Sequence, residues 1–289
     1  MSQQSEFHKL WVIESLPSNE RKTGANLVSN ELNAVNRKHP GFSLEYAQPQ
    51  SVAEFMSTLQ RIYSEAQAGC YPMLHIECHG SKAGLGMASG ELLEWEDLRK
   101  SLISINQECR LNLVITLAAC KGIYLIHTAS KLDRAPFWGV IGPHEDMFDV
   151  DLERAYGAFY EEFVTTLSGD DAVKALNSSI SSSSGDAFHF RSAEALFKRA
   201  YREYLEKNCT GDGLEYRISA LEAKIQKEST MPDGGSSWMR QYLRDKLAPE
   251  AHRQHFEDKM KYFFFQDLFP TNAKRFQVDF DDVARGLIV

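Results

Sequence analysis

Two stretches decide how this chain reads: Tyr71-Pro72-Met73-Leu74-His75-Ile76-Glu77-Cys78-His79-Gly80 and Leu111-Asn112-Leu113-Val114-Ile115-Thr116-Leu117-Ala118-Ala119-Cys120-Lys121-Gly122. Each is an apolar run of strand length that stops at a glycine, and the second is the most strand-like run in the sequence. The first carries His75, Glu77 and His79, polar groups that a buried strand does not keep without a use for them.

Working outward, Lys9 to Leu16 is an earlier apolar run, ended by Pro17-Ser18-Asn19, and Leu27, Leu32 and Val35 follow it at helical spacing. Phe42 to Tyr46 alternates as a strand. Ser51 then caps a helix whose apolar set is Val52, Phe55, Met56, Leu59, Ile62 and Tyr63. After a stretch punctuated by Gly84, Gly86 and Gly90, a helix is expected near 95–108, with Glu94, Glu96 and Asp97 at its N-terminal end. Phe137 to Gly142 supplies a fifth strand, helices are expected over 150–167 and 170–180, and Ala187-Phe188-His189-Phe190 supplies a short last strand before a helix over 193–207. Ser178 to Gly185 reads as an exposed connector. Strands alternating with helices of this length predict an α/β fold: a mainly parallel six-stranded sheet covered on both faces, in three α/β/α layers. Beyond Cys209 the pattern changes to helices, a breaker at Met231-Pro232-Asp233-Gly234-Gly235 and an aromatic cluster at Tyr262-Phe263-Phe264-Phe265. The expected organisation is one domain over 1–208 and a helical C-terminal extension over 209–289.

Composition narrows the function classes. With 289 residues and 43% hydrophobic content the chain can bury a real core. A net charge of −8 and no dense basic run argue against direct nucleic-acid binding. No run approaches the length of a membrane span, and Met1-Ser2-Gln3-Gln4-Ser5-Glu6 lacks the plan of a signal peptide, so a soluble, cytoplasmic protein is expected. Five cysteines at irregular spacing imply free thiols rather than a disulfide framework.

The chemistry concentrates at two strand ends, His79-Gly80 and Cys120-Lys121-Gly122. Ligands of parallel sheets bind outside the carboxyl ends of strands, and the interval between His79 and Cys120 leaves room for a helical crossover that returns the chain beside itself. A cysteine nucleophile needs a base to hold it as thiolate and backbone N–H donors for the oxyanion, and Gly80 lets a main-chain amide approach a substrate closely. A metal reading competes for the same strand, because His75, Glu77 and His79 share one face by the period of two. No fourth ligand declares itself. If the strand is buried, His75 and Glu77 more simply satisfy each other or backbone groups, or Glu77 contacts substrate.

These strand ends resemble the caspase-like (clan CD) cysteine peptidases, and among them the bacterial CHAT-type group. Ala118-Ala119-Cys120-Lys121-Gly122 keeps the Ala-Cys-x-Gly core of the caspase signature and departs from it at Ala118 and Lys121. His75-Ile76-Glu77-Cys78-His79-Gly80 is similar to the family's apolar strand ending in His-Gly, and the likeness covers roughly 9–208. The resemblance implies Cys120 as nucleophile, His79 as general base and later acid, and an oxyanion hole from the backbone N–H groups of Gly80 and Cys120. It implies no cofactor. The loop Gly142 to Asp151 follows the fifth strand, where family members bind substrate, so Asp146 and Asp149 are candidate substrate contacts favouring a basic P1 residue. A protein substrate is implied, with regulated proteolysis in prokaryotic defence or cell-death signalling, set off by an activating protein or small-molecule signal. Two other readings stay open: a catalytically silent binding or signalling module on the same fold, and a metal hydrolase using His75, Glu77 and His79.

Overall fold

The computed structural model describes residues 7–38, 43–119, 122–143, 149–166, 168–180, 188–228 and 237–285. It divides into two compact units, one of residues 1–129 with 134–193, the other of residues 130–133 with 194–289.

The first unit is an α/β fold around a largely parallel six-stranded sheet. Its strands are β1 (Lys9–Ser15), β2 (Ser43–Ala47), β3 (Pro72–Gly80), β6 (Val114–Ala118), β7 (Gly139–Pro143) and β8 (Phe188–Ser192), in the order β2-β1-β3-β6-β7-β8. Only β7–β8 is antiparallel. Two further three-residue strands, β4 (Gly84–Gly86) and β5 (Leu92–Glu94), form a hairpin on the far end of β3. The helices are α1 (Thr23–Leu27), continued through a wider turn at Val28–Leu32 into α2 (Asn33–Lys38), then α3 (Val52–Gln67), α4 (Trp95–Glu108), α5 (Asp149–Thr166) and α6 (Gly169–Ser178). Gly122–Lys131 forms a 3₁₀ helix after β6.

The sequence explains the layers. Ser51 caps α3 as its spacing predicts, its hydroxyl accepting the Glu54 N–H at 3.2 Å, and α3 buries Phe55, Leu59, Ile62 and Ala66 at the 3.6 period. Alternate residues of each strand serve opposite faces. Leu10, Val12, Met73, Val114 and Ile141 pack with Tyr156, Phe159, Tyr160 and Phe163 of α5 and with Leu27 of α1. Residues of the other parity face the opposite way: Trp11 donates its indole N–H to Glu65 of α3 at 3.3 Å and lies under the Arg61 guanidinium. Burial on both faces is why these strands read as continuous apolar runs.

The second unit is helical: α7 (Ala193–Cys209), α8 (Gly211–Glu228), α9 (Ser237–Leu247), a 3₁₀ turn at Pro249–His252, α10 (Arg253–Phe263), α11 (Asn272–Arg275) and α12 (Phe280–Ala284). Its centre is aromatic. Phe197 meets Phe256, Phe263 and Phe264 at ring separations of 5.2–5.3 Å, so the cluster noted in the sequence buries Phe263, Phe264 and Phe265 while Tyr262 stays exposed. No described helix is long and apolar enough to cross a membrane.

Candidate active site

β1, β3 and β6 run parallel and end together, with Ser15 opposite Cys78 and Glu77 opposite Ala118. On the face covered by α1 and α5, this edge carries Glu14 of β1 and the series His75, Glu77 and His79 of β3.

His79 is the exposed member. Its side chain is 59% accessible, and its Nε2 lies 2.8 Å from Oε2 of Glu20, a residue of the loop after β1 that is itself 39% accessible. A carboxylate only accepts, so Nε2 carries a proton, and the tautomer that this selects has its lone pair on Nδ1. Nδ1 makes no hydrogen bond among the described residues. The histidine's main chain is fixed by the hairpin: His79 pairs with Gly86 and Gly80 with Leu85, Ser81 N–H donates to Gly84 O at 2.9 Å, and the Trp95 indole donates to Ser81 O at 3.2 Å.

His75 and Glu77 lie beneath, fully buried and bonded to each other, Nε2 to Oε1 at 2.8 Å. The other ring nitrogen of His75 meets Thr116 Oγ1 at 2.8 Å and the Tyr160 hydroxyl at 3.0 Å. The second oxygen of Glu77 accepts the Thr23 hydroxyl proton. Glu14, equally buried, accepts from Gly24 N–H at 2.7 Å, the Tyr46 hydroxyl at 2.5 Å and Gln48 at 3.2 Å. Tyr156 donates to the Leu117 carbonyl of β6 at 2.7 Å. Burial holds the hydroxyls of Tyr156 and Tyr160 well above the usual phenol range, and burial with the neighbouring Glu14 does the same to Tyr46, so all three remain neutral donors. Both ring nitrogens of His75 are thus engaged, and among the described residues no three His, Cys, Asp or Glu side chains converge as metal ligands would.

Cys120 lies outside the described residues, as do Lys121 and Asp146; Ala119, the residue before Cys120, is buried at the end of β6. Asp149 is the first residue of α5. The four described cysteines, Cys70, Cys78, Cys109 and Cys209, are free, and burial pushes every one of their thiols up, away from the thiolate.

The second unit contains a Cys–His pair that spacing did not reveal. Cys209 Sγ is 3.4 Å from His252 Nε2, and His252 Nδ1 lies 2.9 Å from the Ala248 carbonyl. The carbonyl fixes the proton on Nδ1, so the thiol donates to Nε2. Arg217 approaches the sulfur at 3.5 Å and opposes the effect of burial without cancelling it. This is the proximity a Cys–His dyad requires, but the side chain of Cys209 is fully buried.

Glu20 is the site residue that the sequence reading missed. It is a single acid in a Pro-Ser-Asn loop, far along the chain from His79, and no spacing rule joins them.

No protein-family profile matches the chain, and no curated protein is similar enough to register as a relative. Among solved structures, it is similar to the Drosophila initiator caspase Dronc, with a TM-score of 0.48 and 13% identity over 65% of this chain and 81% of that one.

Proposed function

We propose that the chain is a caspase-like cysteine endopeptidase in which Cys120 attacks a peptide carbonyl and His79 moves the proton. The observation that carries this reading is the state of His79. An accessible imidazole at the carboxyl edge of the sheet has Nε2 held by a carboxylate and Nδ1 left open. β6 is the neighbouring strand, Glu77 pairs with Ala118, and Cys120 is the second residue after Ala118 in the sequence. The motif resemblance adds Gly80 and Cys120 N–H as oxyanion donors.

In the reaction Cys120 transfers its thiol proton to His79 Nδ1, and the sulfur adds to the carbonyl. The tetrahedral intermediate collapses to a thioester as the imidazolium protonates the leaving amine, and water then releases the acid with His79 as base. Glu77, whose two oxygens are taken by His75 and Thr23, supports the strand from below. Asp146 and Asp149 remain candidates for a basic P1 pocket. The same resemblance supports a cytoplasmic, controlled CHAT-type protease acting on a protein substrate in antiviral defence or cell-death signalling.

The test is turnover of fluorogenic peptides with Arg, Lys, Asp or Leu at P1 by wild type, Cys120→Ala, His79→Ala and Cys209→Ala. Activity should vanish in Cys120→Ala, fall at least about a hundredfold in His79→Ala and persist in Cys209→Ala. Activity that survives Cys120→Ala but not Cys209→Ala would transfer the dyad to Cys209 and His252.

A further inference from the structure

We infer that Glu20 is a positioning residue for His79, held in place by a loop that the buried carboxylates Glu14 and Glu77 anchor to the sheet. The inference rests on the proposed role of His79. An exposed ion pair between two free side chains would carry little weight. Here the loop leading to Glu20 is fixed at both ends. Glu20 N–H closes a turn onto the Pro17 carbonyl at 3.0 Å, and the Lys22 ammonium binds the carbonyls of Leu16 and Pro17. Directly beyond, Thr23 donates its hydroxyl to Glu77, and Gly24 N–H donates to Glu14 at 2.7 Å. Arg21 reaches Glu153 of α5 at 2.5 Å.

The two buried carboxylates therefore have a use that packing alone does not give them. They end the first helix's N-terminus on the sheet and so set where the preceding residues lie. Glu20 then fixes the ring of His79 with its proton on Nε2, which leaves Nδ1 to receive the proton of Cys120. When His79 becomes imidazolium, the Glu20 carboxylate faces the new charge. Nothing in this step is oxidised or reduced.

The experiment uses the full chain and iodoacetamide, with the alkylation rate of Cys120 followed by peptide mass, and the best peptide of the P1 panel for kcat and KM. Glu20→Ala should slow alkylation and lower kcat by about tenfold, with KM within twofold and the thermal midpoint unchanged. Glu20→Gln should recover part of both losses, because its amide oxygen still accepts the Nε2–H while lacking the charge. Cys120 labelling in Glu20→Ala at the wild-type rate, with His79→Ala slow, would overturn the role of Glu20 and leave the dyad standing. Labelling in His79→Ala at the wild-type rate would instead overturn the reading of His79, and that of Glu20 with it.

Discussion

His75 and His79 stand four residues apart on one face of β3 and do different work. The sheet buries the first and leaves the second at its edge, so His75 spends both nitrogens on Glu77, Thr116 and Tyr160, whereas His79 spends one on Glu20. Glu77 is the centre of the buried set. Removing it leaves His75 and Thr23 each short of a buried partner, so Glu77→Ala should cost about 3 kcal/mol of stability, read from urea unfolding; a loss under about 1 kcal/mol would contradict this account of the network. The sequence showed that these polar residues had to be satisfied, because their types are wrong for a bare strand. The period of two put Glu77 on the same face as His75 and so made it one of the partners the strand could supply. The sequence could not identify Thr116, Tyr160 or Glu20, since those contacts are set by which strands and loops become neighbours.

Among the elements, the long ones were legible and the short ones were not. β3 and β6 announce themselves as apolar runs, and α3 and α4 by helical period and end signals. β4 and β5 have three residues each, too few for any periodicity, so the stretch punctuated by Gly84, Gly86 and Gly90 carries no strand signal in the sequence. The structure gives those glycines a purpose. A Cβ on Gly84 would sit 2.1 Å from the Leu93 carbonyl oxygen, and Gly90 turns the chain at φ +86°. The hairpin in turn fixes the main chain of His79 through Gly86. Gly84→Ala should therefore lower stability by about 1–3 kcal/mol and speed amide exchange at Gly86, while exchange in β1 is unchanged; an unperturbed hairpin would contradict the assignment. The segment that bears Cys120 falls outside the described residues.

At the scale of the whole molecule, both units bury thiols, Cys78 and Cys109 in the first and Cys209 in the second. Their folded values are raised above the ordinary 9.0. Above that pH the unfolded chain loses thiol protons that the folded chain keeps, so the unfolded state binds fewer protons and stability falls as pH rises. Below it both states are protonated and the thiols contribute no pH dependence. Each raised thiol should steepen the fall by up to about 1.4 kcal/mol per pH unit, checked by urea midpoints between pH 7 and 10, with Cys78→Ala flattening the curve. An activated thiol would behave in the opposite way. The most direct test is labelling of the whole chain with acyloxymethylketones bearing Arg, Lys, Asp or Leu at P1, read by intact mass. The account predicts one adduct on wild type, none on Cys120→Ala and far less on His79→Ala, with a basic P1 preferred. An adduct that survives Cys120→Ala, or a wild-type chain that takes none, would contradict it.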